Sequence, residues 1–418
     1  MRVQRCKGTQ DLSPVEMVKF RRIESAFRNS CLKWGYEEVR TPTLEYLHLF
    51  TSAGTLTPSM LHKVYSFLDW DGWSGERVVL RPDVTIPVAR FYIDKMEGRK
   101  PAKLFYVTNV FRFEETGTEA RERWQCGAEL IGAGSTTADV ELIVLALEVL
   151  NRLGINGVSL KLSHAGLIRA LLVKLGLSPG EQEKMFDQFL NGGVTKLADI
   201  KPARGKVNRD LMALLEMKGK SVAMLKNLKP LVVPDSPELE APLDNFITVA
   251  ELVAALGCDY QIDIDAGRGF EYYTGIIFQL FTGVDKVGGG GRYDALIPVL
   301  GGADVPASGF ALYLDRLMER IATEVGSETA VVRVLIKAEP LAASEAFRIA
   351  GQLHEAGFSA EMDLGSSETS FRWRLDVRRQ APAFVLTDQV TSQRYTAKNA
   401  SDILAILGEQ CVSKNSPA

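Results

Sequence analysis

The sequence predicts an α+β fold: antiparallel strands lie between amphipathic helices, and a small C-terminal α/β domain follows. Three observations carry this. Two apolar runs, residues 104–113 and 124–131, flank a polar stretch at 114–122, as in a hairpin with a long loop. Apolar residues recur every three or four positions at Met17, Phe20, Ile23, Phe27 and Cys31, and again at Val140, Ile143, Leu147 and Leu150. From Val331 onward, strand-like and helix-like segments alternate, which argues for a small parallel or mixed sheet.

The chain has 418 residues, 46% of them hydrophobic and 24% charged. This is globular composition, long enough for two or three domains that each bury a core. The 49 basic residues against 52 acidic ones give a net charge of −3. A protein living on phosphate contacts is usually basic, so the balance leans away from a dedicated nucleic-acid binder. The five cysteines, Cys6, Cys31, Cys126, Cys258 and Cys411, are scattered, with no CxxC pair. They read as reduced thiols of a cytoplasmic protein. The N-terminal stretch lacks the apolar core of a signal peptide, and the most apolar helix, residues 140–150, is too short to span a bilayer.

In chain order, Ser13-Pro14-Val15-Glu16 forms a capping box with proline at the first helical position, starting a helix that ends near Trp34-Gly35. Short strands follow at 78–80, 104–113 and 124–131, and Thr136 or Thr137 starts the next helix. Residues from about 165 to 255 read as a helical insertion. Strand signals return at 260–264 and 272–281, and the glycine run at 288–291 reads as a tight turn. Phe310, Leu314, Leu317 and Ile321 suggest one face of a core helix. In the last domain, strands are expected at 331–336, 358–362 and 383–387, and helices at 342–356, 371–380 and 401–407.

Four clusters carry possible chemistry. In Arg81-Pro82-Asp83-Val84-Thr85 a carboxylate and a hydroxyl end a strand, suited either to an ammonium group or to capping the next helix. The hairpin offers Arg112 between two phenylalanines, loop arginines Arg121 and Arg123, and Gln125, Gly127 and Glu129 on one strand face. An inward arginine suits carboxylate or phosphate; a solvated hairpin with charged edges is the plainer reading. Arg268 lies between two glycines ahead of Tyr272 and Tyr273, which packing alone explains poorly. The run Gly288 to Asp294 is neither a P-loop nor a dinucleotide fingerprint. The four histidines have no metal-ligand or triad spacing, so no metal is expected.

Taken in order, these segments resemble histidyl-tRNA synthetase and its paralogue, the regulatory subunit of ATP phosphoribosyltransferase. The phrases Arg-Gly-Phe-Glu-Tyr-Tyr-Thr-Gly and Gly-Gly-Arg-Tyr-Asp carry the likeness, along with Lys7 to Leu12, Trp34 to Pro42 and Gly309 to Leu317. The resemblance implies a class II aminoacyl-tRNA synthetase-like antiparallel sheet flanked by helices in residues 1–325, a dimer, and an anticodon-binding-like α/β domain at 330–410, followed by a polar tail at 411–418. It implies a histidine pocket of Asp83, Thr85, Arg112, Gln125, Glu129, Arg268, Tyr272 and Tyr273. It also implies a nucleotide-site remnant of Glu114, Arg121, Tyr313 and Arg316.

Tyr313-Leu314-Asp315-Arg316 stands where the synthetase typically has Gly-(Leu/Ile)-Glu-Arg, and a tyrosine there should crowd adenosine. Together with the Arg-Pro-Asp-Val-Thr phrase, this favours the regulatory paralogue. The expectation is therefore a noncatalytic, cytoplasmic partner of the short catalytic transferase, without cofactors and with histidine as a possible effector. The alternative is a working histidyl-tRNA synthetase using ATP, magnesium and tRNA, with Arg112, Arg268 and Arg316 as its catalytic arginines. In the C-terminal domain, Arg372, Arg374, Arg378 and Arg379 cluster on the helix expected at 371–380, facing RNA, a subunit or solvent.

Overall fold

The computed structural model describes residues 4–54, 56, 61–69, 75–113, 120–174, 180, 218–234, 236–264, 272–322, 332–365 and 371–412. The chain divides into two compact units, Met1–Thr323 and Glu324–Ala418.

The first unit opens with α1 (Pro14–Lys33), and its capping box is complete: the Ser13 side chain accepts from the Glu16 amide while Glu16 reaches back to the Ser13 amide. Its periodic face, Phe20, Ile23, Phe27 and Cys31, is buried. Each such apolar side chain contributes about 1.5–3 kcal/mol on burial. The strands are β1 (Glu37–Glu38), β2 (Leu44–Tyr46), β3 (Ser66–Leu68), β4 (Arg77–Leu80), β5 (Ala102–Phe111), β6 (Glu122–Ile131), β7 (Val158–His164), β8 (Lys218–Gly219), β9 (Tyr260–Asp263), β10 (Ile276–Thr282), β11 (Asp285–Arg292) and β12 (Ala307–Tyr313). Nine of them form one sheet in the order β1-β5-β6-β12-β11-β10-β7-β9-β8, and β2, β4 and β3 form a small separate sheet. From β5 through β7 every pairing in the large sheet is antiparallel.

One face of the sheet buries Phe105, Cys126, Ala128 and Phe310 in the core that includes Phe27 of α1 and Ile143 of the helix Thr136–Arg152. That second helix is capped by the Ser135 side chain, not by either threonine, because Ser135 keeps the extended backbone that aims its oxygen at the Ala138 amide.

Three expectations change here. The glycine run is no turn but the inner part of β11, flanked by β10 and β12. A Cβ on Gly288 would lie 2.7 Å from the Ala311 carbonyl oxygen, and one on Gly290 would collide with β12, so glycine lets these strands close. Phe310 belongs to strand β12, and the helix starts only at Leu314 (Leu314–Met318). The strand expected at 272–281 starts at Ile276.

In the second unit, strands β13 (Arg333–Ala338), β14 (Ser359–Met362), β15 (Trp373–Val377), β16 (Phe384–Asp388) and β17 (Arg394–Ala397) form a mixed sheet in the order β14-β13-β15-β16-β17. Helices Ala343–Glu355 and Ala400–Val412 pack on it. The helix expected at 371–380 is the strand β15 instead. Trp373, Leu375 and Val377 are buried in alternation with Arg372, Arg374 and Asp376, and this period of two decides for the strand. The arginine cluster therefore does not lie on a helix.

Candidate functional site

The strand pairing aligns the side chains of one sheet face. Gln125 pairs with Tyr313 and Thr108, Gly127 with Ala311 and Tyr106, and Glu129 with Gly309 and Leu104. The small residues make room. A Cβ on Gly127 would collide with the Tyr106 ring, and one on Gly309 with the Glu129 carboxylate. Glu129 is 1% exposed. Its Oε1 accepts from Thr85 Oγ1 (2.8 Å) and from the Tyr106 hydroxyl (3.2 Å), and its Oε2 accepts from the Tyr293 hydroxyl. Burial pushes the Glu129 carboxyl up to about 8, against the opposing effect of those hydroxyl donors.

Thr85 opens the helix Thr85–Met96, and Asp83 accepts from the Ile86 amide at 3.0 Å. Asp83 thus caps the helix, one of the two roles read from its sequence setting, and it also lines the cleft. Burial raises its proton affinity as well. Gln125 donates to the Tyr106 hydroxyl at 3.4 Å. Tyr272 and Tyr273 are buried, their ring centroids 5.5 Å apart, and the Tyr272 ring meets Tyr293 edge-on at 5.4 Å. Two buried carboxyls among hydroxyls and aromatic rings suit a cationic group or a flat, hydrogen-bonding ring.

From Asp83 and Gln125 the site opens into a cleft of about 700 Å³. Arg112, Tyr313 and Arg316 line it, with Lys19, Arg123 and Lys286 supplying further positive charge and Glu16, Glu122, Asp315 and Glu319 negative charge. Tyr313 shares the face of Gln125, so its side chain lies on the cleft side of the sheet. Arg112 is not an inward sheet residue: β5 ends at Phe111, and Arg112 is exposed beyond it, its Nε 3.4 Å from the Pro82 carbonyl oxygen. Arg121 stacks on the Phe113 ring at 4.7 Å, and Arg316 pairs at 3.8 Å with Glu319. Asp315 accepts from the Trp124 amide at 3.0 Å and so ties the start of β6 to the helix after β12. Arg268 and Glu114 lie outside the described residues.

Sequence reasoning missed Tyr106 as a site residue and read Tyr293 only as part of a turn. The signal for Tyr106 was its parity on β5, which places it opposite Gly127. Among the described residues no three His, Cys, Asp or Glu side chains converge as metal ligands, and no helix is long and apolar enough to cross a membrane.

The family model of histidyl-tRNA synthetase matches residues 8–317. The chain is 49% identical over 410 residues to a Dehalococcoides mccartyi protein named ATP phosphoribosyltransferase regulatory subunit, covering 98% of this chain and 99% of that one. It is 34% identical over 416 residues to the histidine–tRNA ligase of Archaeoglobus fulgidus, covering 96% and 95%. In structure it resembles an ATP phosphoribosyltransferase regulatory subunit/histidyl-tRNA synthetase from Bacillus halodurans (TM-score 0.77, 22% identity, 91% of this chain and all of that one). The class II synthetase-like fold and these full-length matches lead to one conclusion: this chain belongs to the family of ATP phosphoribosyltransferase regulatory subunits, a paralogous branch of the histidyl-tRNA synthetases.

Proposed function

We propose that this chain is a noncatalytic regulatory subunit of ATP phosphoribosyltransferase in histidine biosynthesis, required by the short catalytic subunit for activity and for feedback by histidine. The observation that carries the reading is the 49% identity, end to end, with proteins of that name, against 34% with a synthetase. Tyr313 on the cleft side supports it, since a phenol there takes space that adenosine would need.

Histidine is the effector that fits the pocket. Its ammonium would meet Asp83, Thr85 and Gln125, its ring Glu129, Tyr272 and Tyr273, and its carboxylate Arg268, with Arg112 at the mouth. Histidine that binds one assembly state better than another shifts the complex toward that state. The reading needs no cofactor and places the complex in the cytoplasm. The core forms a homodimer, supported by an apolar outer face on the small sheet: Leu44, Tyr46 and Phe67 are 47%, 42% and 45% exposed.

The test is histidine-dependent ATP–pyrophosphate exchange by the purified chain with magnesium, beside activation of a short-form transferase. Activation without exchange is expected. Robust exchange would instead establish the synthetase alternative, in which Arg112, Arg268 and Arg316 stabilise charge on the transferring groups of ATP and histidine.

A further inference from the structure

Arg292 ends β11, and its guanidinium is taken up by groups of the same chain. Its Nε and one terminal nitrogen lie 3.1 and 2.8 Å from the two Asp139 oxygens. The other terminal nitrogen lies 2.9 Å from Asp294 Oδ1, and the Ala133 carbonyl oxygen accepts at 3.1 Å. Arg292 and Asp139 are both buried. Taking such charges out of water costs free energy, and a well-packed apolar set of the same volume often serves stability equally well. The geometry around this cluster suggests what it does instead.

Tyr293 stands between Arg292 and Asp294, and both neighbours are pinned. Asp294 Oδ1 also accepts from the Ala307 amide at 3.0 Å, and the Tyr293 amide donates to the Ala307 carbonyl at 2.7 Å. The Asp294 amide donates to Thr274 Oγ1 at 3.0 Å, and the Thr274 amide donates to the Arg292 carbonyl at 2.8 Å. Thr274 directly follows Tyr272 and Tyr273. A Cβ on Gly275 would lie 3.0 Å from the Arg292 side chain, so the turn closes on the guanidinium stem. The cluster therefore fixes the backbone on both sides of Tyr293 and just after the tyrosine pair. These three buried rings pack on one another, and Tyr293 among them donates its hydroxyl to Glu129.

We propose that the Asp139–Arg292–Asp294 cluster is a positioning device, which holds Tyr293 on Glu129 and thereby sets how tightly the pocket takes its amino-acid ligand. This rests on the reading of the pocket as a histidine site. Neither Asp139 nor Asp294 lines the cleft; both act through Tyr293.

The test is a double-mutant cycle on the full chain, with calorimetric titration of histidine. Asp294→Asn keeps the side-chain shape and removes the charge, and Tyr293→Phe removes the hydroxyl. In the wild-type background Asp294→Asn is expected to weaken histidine binding by about tenfold or more; in the Tyr293→Phe background, by less than about threefold. Equal factors in the two backgrounds, or no loss in the first, overturn the proposal, since a general loosening of the fold would act in both. Asp139→Asn run through the same cycle gives the second arm, and Asp294→Asn decides if that variant fails to fold. If the wild-type chain does not take up histidine, the pocket reading falls, and the cluster is judged on the ligand-free tyrosine signal in near-ultraviolet circular dichroism. The same band lost in Asp294→Asn and Tyr293→Phe upholds the proposal; a wild-type band in Asp294→Asn overturns it.

Discussion

Just past the end of β11, the hydroxyl of Tyr293 donates to Glu129 Oε2 of β6 across β12, where Gly309 has no side chain. Gly309 pairs with Glu129 on one side and with Gly291 on the other. A methyl group at 309 would push into the carboxylate and lie 2.8 Å from the Ala128 carbonyl oxygen, which is backbone and does not yield. Gly309→Ala is therefore expected to destabilise the core unit by about 1–3 kcal/mol, as overpacking in a closed site does. Urea unfolding measures this. A midpoint equal to wild type would mean that the carboxylate has somewhere else to go.

The carboxyl of Glu129 also makes stability depend on pH. Its folded value, about 8, lies above the ordinary 4.5 because burial disfavours the charged form. Between those values the folded chain holds a proton that the unfolded chain has released, so the stability contributed below pH 4.5 is lost progressively up to about pH 8. Glu129→Gln removes this dependence. Relative to wild type, the glutamine variant should gain stability steadily from pH 5 to 8, read from urea midpoints at each pH. A difference that is flat with pH would mean that Glu129 stays ionised in the folded state.

Much of this site was legible in the chain. The hairpin followed from its two apolar runs, and alternation along the second put Gln125, Gly127 and Glu129 on one face, where β6 holds them. The capping box at Ser13 was legible because its contacts are local, three residues apart. What failed depended on neighbours distant in sequence. Four consecutive glycines are poor strand formers on their own; here the flanking strands, with Phe278 on one side and Phe310 on the other, fill the space that side chains would occupy. Residues 371–377 alternate strictly, but the closely spaced arginines were read as a helix face, and the pairing of β15 with both β13 and β16 decides the matter. Tyr106 became a site residue only through the register that sets it against Gly127.

On the small sheet, Leu44 and Tyr46 share a face with Val78 and Phe67 through their cross-strand pairs, while Glu45 and Val79 point inward and are buried. Three large apolar side chains exposed on one face of a short sheet favour covering by another surface. Charging it should break the proposed homodimer: Leu44→Glu with Phe67→Glu is expected to halve the mass seen by sedimentation equilibrium at micromolar concentration while the thermal midpoint of the monomer stays measurable. A mass unchanged by both substitutions places the dimer contact elsewhere.

The C-terminal unit offers the last test, because three of its arginines are engaged, while Arg378 and Arg379 are exposed. Arg333 pairs with Glu361 at 2.7 Å, Arg372 with Asp388 at 3.0 Å and Arg374 with Asp376 at 3.2 Å. Nucleic-acid affinity comes largely from cations that neutralise phosphates, and a guanidinium already matched to a carboxylate in the same chain gives less of it. Asp388 is held well into the charged range, since the bonds from Arg372 and from the Val390 and Thr391 amides outweigh its burial, so that pair persists at neutral pH. The chain is therefore expected to leave tRNA mobility unchanged in native gels at about 0.15 M salt, where phosphate-binding domains still bind in the micromolar range. Removing the carboxylates supplies the control. Asp388→Asn with Asp376→Asn frees two guanidinium groups and should raise tRNA binding from that baseline, with a stability cost of about 1 kcal/mol or less for the more exposed Arg374 pair. Tight, salt-sensitive tRNA binding by the unaltered chain would instead mean that the unit presents a phosphate-binding face despite these pairs, and would favour the synthetase alternative.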